Sequence, residues 1–153
     1  MPTRLLLVVV VVLFGGAGLL RAQPSVVINE IFSSGESPTL RAEFVELYNA
    51  GSAAVDLSGW RLRRGVEYAF AAGAVLQAGE YAVVAQNKRD LLRKFAVSSS
   101  AKVWGDYEGR LKSGGERLEL VDASGAIVDK VEYELGFPFP TVSESRGLSL
   151  QLQ

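Results

Sequence analysis

Three glutamates, Glu30, Glu43 and Glu46, come nearest in type and spacing to a set that could do chemistry. If the first two strands pair, these carboxylates converge, and adjoining carboxylates suit acid–base catalysis or calcium binding. The same side chains could instead stand on the solvent face of edge strands, or anchor loops by accepting backbone N–H bonds. The regular Asp/Asn spacing of a calcium loop is absent. The chain has no His and no Cys, which removes Ser–His and Cys–His nucleophiles and the zinc sites built on those ligands. Ser99-Ser100-Ala101-Lys102 matches S-x-x-K, the spacing that sets a lysine one helical turn from a nucleophilic serine. Its companion Ser-Asp-Asn and Lys-Thr-Gly elements are missing, and it falls in a serine-rich loop, so it reads as a chance match. No catalytic residue, metal or cofactor is expected.

Partner contacts have more material. Arg61, Arg63 and Arg64, with Lys88, Arg89, Arg93 and Lys94, form the basic clusters and could meet phosphate or an anionic envelope polymer if they adjoin. Arg61 and Arg63 take the parity opposite Leu62, a solvent face. Sparse aromatic interleaving and nearby acids weaken a nucleic-acid reading. An exposed Trp60 would stack on a sugar ring, but its place in a Leu57–Leu62 strand argues for the core between two sheets. Trp104, Tyr107, Phe137 and Phe139 fall in predicted loops, which makes them candidates for a ligand or partner surface or, alternatively, loop anchors. Gly136-Phe-Pro-Phe-Pro140 is stiffened by two prolines and cannot join a central strand.

The elements that must position these residues are short alternating apolar runs broken by turn residues. Val26 and Ile28, Val45 and Leu47, Val83, Leu118 and Leu120, and Val131, together with Trp60, are the expected core. The parity switch near Ser58-Gly59 suggests a β-bulge. Tyr81–Ala85 is continuous enough for a strand buried on both faces. Glu116–Val121 and Ile127–Tyr133 flank the Asp122-Ala-Ser-Gly125 turn as the clearest hairpin. Leu118 and Leu120 alternate there against Arg117 and Glu119. Asn87–Phe95 breaks the pattern: Leu91, Leu92 and Phe95 have helical spacing, Asn87 can cap and Asp90 suits the first turn. A short strand is expected near Val103-Trp104, and Leu148–Leu152 alternates at the end. Many short strands with regular turns predict an all-β sandwich or barrel.

The 153 residues suffice for one domain with a real core. Arg4, the apolar run from Leu5 and small residues thereafter describe a secretory signal peptide over 1–22, cut between Ala22 and Gln23; cleavage after Ala17 or Gly18 is the alternative. An uncleaved anchor fits less well, because Leu5 to Leu20 gives 16 residues where a spanning helix needs about 20. Two of the 16 basic residues lie in that leader, so 14 remain against 17 acidic ones, a net charge of −3. Residues 23–153 are expected to fold as one domain outside the cytoplasm, secreted, periplasmic or in the envelope, held by burial without disulfides.

Taken in order, the Asn29-Glu30-Ile31 opening, Glu43-Phe-Val-Glu-Leu-Tyr-Asn49, Val55-Asp-Leu-Ser-Gly-Trp60-Arg-Leu62, Leu76–Ala85, Leu111–Asp122, Gly125–Tyr133 and Gly147–Leu150 resemble the lamin tail domain family. That resemblance implies an immunoglobulin-like β-sandwich without catalytic residues of its own. It lacks the filament proteins' heptad rod, import run and prenylation cysteine, so the secreted bacterial form is the relevant comparison. The chain stops on the last strand, where family members commonly continue, which leaves open a truncated or split product. The expected function is a secreted interaction or structural domain whose partner is an unidentified protein or envelope polymer. The alternative is an accessory nucleic-acid or polysaccharide module of an extracellular hydrolase.

Overall fold

Alternating apolar residues build two sheets whose inner faces meet. The computed structural model describes residues 25–33, 40–112, 114–134 and 150–151. The leader with its cut at Ala22–Gln23, and Phe137 and Phe139, lie outside these residues. β1 (Val26–Phe32) pairs antiparallel with β2 (Phe44–Asn49), and β3 (Val55–Asp56) precedes β4 (Arg61–Arg63) and β5 (Val66–Ala69). β6 (Val75–Leu76) and β7 (Tyr81–Ala85) lead to the helix α1 (Lys88–Lys94), then β8 (Lys102–Gly105), β9 (Glu108–Gly109), β10 (Gly115–Val121), β11 (Ile127–Glu134) and β12 (Leu150–Gln151). One sheet runs β12-β1-β2-β7-β8, the other β11-β10-β4-β5-β9, and β3 with β6 forms a small third. This is the expected immunoglobulin-like sandwich with one short helix.

Ile28, Ile31, Val45, Leu47 and Val84 from the first sheet pack against Leu62, Val66, Leu118, Leu120 and Tyr133 from the second. Each is essentially removed from water, which at roughly 25 cal/mol per Å² supplies the main stabilising term. Among the described residues no helix is long and apolar enough to cross a membrane.

Several local expectations are corrected. No register slip falls at Ser58-Gly59: one falls between β10 and β11 at Leu120/Val121, and a bulge lies in β1 between Ile28 and Glu30. It returns Ile31 to the core face and sends Glu30 outward, as one unpaired residue must. Leu57–Trp60 is a turn: the Trp60 amide donates to the Leu57 carbonyl at 2.9 Å, and Gly59 takes φ +76°, which glycine adopts without steric cost. Trp60 is therefore half-buried at the core's margin rather than enclosed within a strand. β7 is not buried on both faces. Ala82 and Val84 point inward, whereas Tyr81 is 50% exposed and Val83, expected in the core, is half-buried on the outer face. Val131 is also half-buried, against the core's edge.

The helix forms where its cap residue predicts. Asn87 Oδ1 accepts from the Asp90 amide at 3.1 Å, and the Phe95 amide closes the last turn on Leu91. Leu91 is buried but Leu92 is 51% exposed, since a seven-residue helix on a sheet edge buries only one stripe. The crossover through α1 lets β8 run parallel to β7.

Candidate functional site

Strand pairing brings two of the three sequence-selected glutamates together and separates the third. Glu30 and Glu46 are register partners on β1 and β2, both partly buried on the outer face of the first sheet. Asn29 Nδ2 donates to Glu46 Oε1 at 2.8 Å. Burial, and further down the Glu30 charge, raise the Glu46 carboxyl above the ordinary glutamate value against that hydrogen bond. Glu43 takes the opposite parity from Glu46 and points inward, 2% exposed.

Inward placement gives Glu43 structural work. Its Oε2 accepts from the Leu111 amide at 2.9 Å and from the Tyr107 hydroxyl at 3.4 Å. Arg110 approaches Oε1 at 3.6 Å. Burial raises its carboxyl; the Leu111 amide and the Arg110 charge oppose this without cancelling it. One residue further along, the Lys112 amide donates to Glu116 Oε1 at 2.8 Å, and the Tyr133 hydroxyl donates to the same oxygen at 3.0 Å. Two carboxylates thus clamp successive amides of the connection between β9 and β10. Tyr107, expected as a loop aromatic available to a partner, is 1% exposed and belongs to the core. Burial, then the Glu43 charge, push its hydroxyl pKa far up, so it stays protonated and donates.

Arg63 on β4 and Arg64 just after it are likewise engaged. Glu119 on β10 is 1% exposed although its sheet face is the outer one. It receives Arg63 Nε at 2.8 Å, Arg117 at 2.6 Å and Arg64 Nε at 3.8 Å. Desolvation is the largest single influence on Glu119 and disfavours its charge. The Arg63 hydrogen bond and the three guanidinium charges together outweigh it and hold the carboxyl below the ordinary value. Arg63 and Arg64 are therefore charge partners within the fold, while Arg61 remains exposed. The helix cations stand by the first sheet, on α1 against β8, so the two basic clusters sit on different sheets. Beside the helix start, Lys88, Arg89 and Arg93 line an open cleft of ≈ 600 Å³ with Asp90 and Asp106. Its carboxylates already serve the fold: Asp106 accepts from the Lys88 amide at 2.8 Å, and Asp90 from the Arg41 amide at 3.0 Å.

Trp104 lies on β8, half-buried, its ring edge-on to Phe70 at 5.2 Å, so it supports the core margin. The S-x-x-K lysine, Lys102, extends along β8 and donates to the Val75 carbonyl and Glu80, each at 2.7 Å. No helical turn joins it to Ser99. Among the described residues no three His, Cys, Asp or Glu side chains gather as for a metal ion.

Sequence reasoning missed two anchors and one surface. Glu119 alternates with two core leucines yet is buried; Arg117, two residues before it, was the available signal, and strand pairing adds Arg63 across the sheet. Asn49, which closes the Glu43–Asn49 run, is fully buried and donates from Nδ2 to the Ala53 and Leu76 carbonyls. Tyr48 and Tyr81, cross-strand neighbours, stack at 4.4 Å on the outer face of the first sheet.

The family model described as Lamin Tail Domain matches residues 21–134. No curated protein matches the chain.

Proposed function

The chain belongs to the lamin tail domain family, and from that premise we propose that it is a secreted, non-catalytic immunoglobulin-like interaction or structural domain of the cell envelope or exterior. The observation that carries this reading is the employment of its buried carboxylates. Glu43 holds the Leu111 amide and Glu119 gathers three guanidinium groups. A general acid or base must direct its proton or lone pair at a substrate, whereas these are directed at the fold itself. Export is supported by Arg4, the apolar run from Leu5 and the small residue at the proposed cut. The partner is a protein or an envelope polymer.

Fractionating producing cells after crosslinking tests both halves. The expected species begins at Gln23 in the exterior or periplasmic fraction and is crosslinked to a protein or envelope polymer. A Met1-bearing species confined to the membrane pellet overturns the export half. Crosslinking that yields only the free domain overturns the interaction half.

A further inference from the structure

Two rows of side chains cross the outer face of the first sheet with no helix of the described residues laid over them. Strand register sets Val27, Tyr48 and Tyr81 side by side on β1, β2 and β7, and sets Glu30, Glu46, Val83 and Val103 in the adjacent row from β1 to β8. A third row, Phe32 and Phe44, is roofed by Phe95 from the end of α1, with ring centroids at 5.4 and 5.9 Å. In the first two rows Tyr81 is 50% exposed and every other residue is partly exposed.

The open rows carry an unbalanced charge. Glu30 and Glu46 stand directly opposite one another, and among the described residues no lysine or arginine pairs with either; Glu46 has only the Asn29 amide. Like charges placed directly across a strand pair destabilise it. Aromatic residues beside them are the type enriched where proteins meet, and a tyrosine face also attracts a cation. The carboxylates repel nucleic acid and anionic polymers, so this face selects the opposite charge.

We propose that this face docks a basic, partly apolar protein surface, with a partner lysine or arginine between Glu30 and Glu46 and its apolar flank over Tyr48, Tyr81 and Val83. The inference rests on the interaction reading above and adds the site and the partner's chemistry to it. The partner's cation relieves the Glu30–Glu46 repulsion, and burying the tyrosine and valine rows contributes the hydrophobic share.

The test uses a fluorescent heptapeptide of alternating lysine and leucine, titrated against the purified protein by anisotropy. Glu30→Gln with Glu46→Gln, and separately Tyr81→Ser, should each weaken binding about tenfold or more. Glu67→Gln with Glu108→Gln is the control, because those residues also oppose one another, on β5 and β9 of the other sheet; it should change binding less than about twofold. The Glu30/Glu46 double variant should also melt higher than wild type, a gain that distinguishes relieved repulsion from lost folding. Equal weakening at both acid pairs, or none at Glu30 and Glu46, overturns the site. Unchanged cellular crosslinks in the Glu30/Glu46 variant overturn the site while leaving the interaction reading standing. Loss of all crosslinks in wild type would remove both.

Discussion

Arg63 and Glu119 stand directly opposite on β4 and β10, Nε to Oε2 at 2.8 Å. With Arg64 and Arg117 closing on the same carboxylate, residues that could have greeted an external anion instead hold two strands of one sheet together. Breaking a buried pair by removing one partner costs more than the pair's net worth, because the remaining charges lose their counter-ion.

Glu119→Gln should therefore lower the melting temperature at neutral pH. The folded carboxyl lies below its ordinary value, so its stabilisation is present above the unfolded value and is lost as pH falls through the folded one. The gap between wild type and variant should close on acidification. A gap that persists well below the carboxylate range would contradict the ion-pair account; thermal unfolding from pH 3 to 7 measures it.

Glu43 has the opposite sign. Its folded value is raised, so its contribution is fully present below the unfolded value and declines as pH rises through the folded one. Glu43→Gln removes the charge and keeps an acceptor for the Leu111 amide, so its stability relative to wild type should improve across that rise. Glu43→Ala leaves the amide without a partner and should cost about 1–3 kcal/mol. Chemical denaturation of the three proteins at two pH values decides it.

Trp60→Ala should destabilise by about 2 kcal/mol, less than the roughly 3–5 kcal/mol of an enclosed tryptophan, because Trp60 is only half-buried. Leu62→Ala, at a fully buried position, should cost about 2–5 kcal/mol. Urea unfolding that ranks Trp60 above Leu62 would place the indole deeper than its margin position.

How much was legible follows from the range of each interaction. Alternation in Val45/Leu47 and Leu118/Leu120 is local, and so are the Asn87 cap and the Asp122–Gly125 turn; these could be read directly. The opposite parity of Glu43 and Glu46 was equally local, and it already separated the acidic trio. The Asn29 bulge was not legible, because a bulge is defined by a partner strand. Tyr107 looked like a loop aromatic because its burial depends on Glu43, distant in sequence. Glu119 broke the rule that the residue between two core leucines meets water, since three arginines rather than solvent satisfy it. Phe137 and Phe139 stay candidates from sequence alone.

Chelation should leave the fold unchanged. The connection between β9 and β10 is held by Glu43 and Glu116 on backbone amides, tasks that need no cation. EDTA should shift the melting temperature by less than about 1 °C. A large fall reversed by calcium would assign the acidic residues a metal role.

The central claim is that the carboxylates serve structure and recognition rather than turnover. The most direct measurement is hydrolysis of DNA, RNA and polysaccharide by the purified protein, with and without magnesium or calcium, alongside Glu30→Gln, Glu43→Gln and Glu46→Gln. The account predicts background rates for all four proteins under every condition. Turnover by the wild type that any one of these substitutions abolishes, in a variant that still folds, would contradict it.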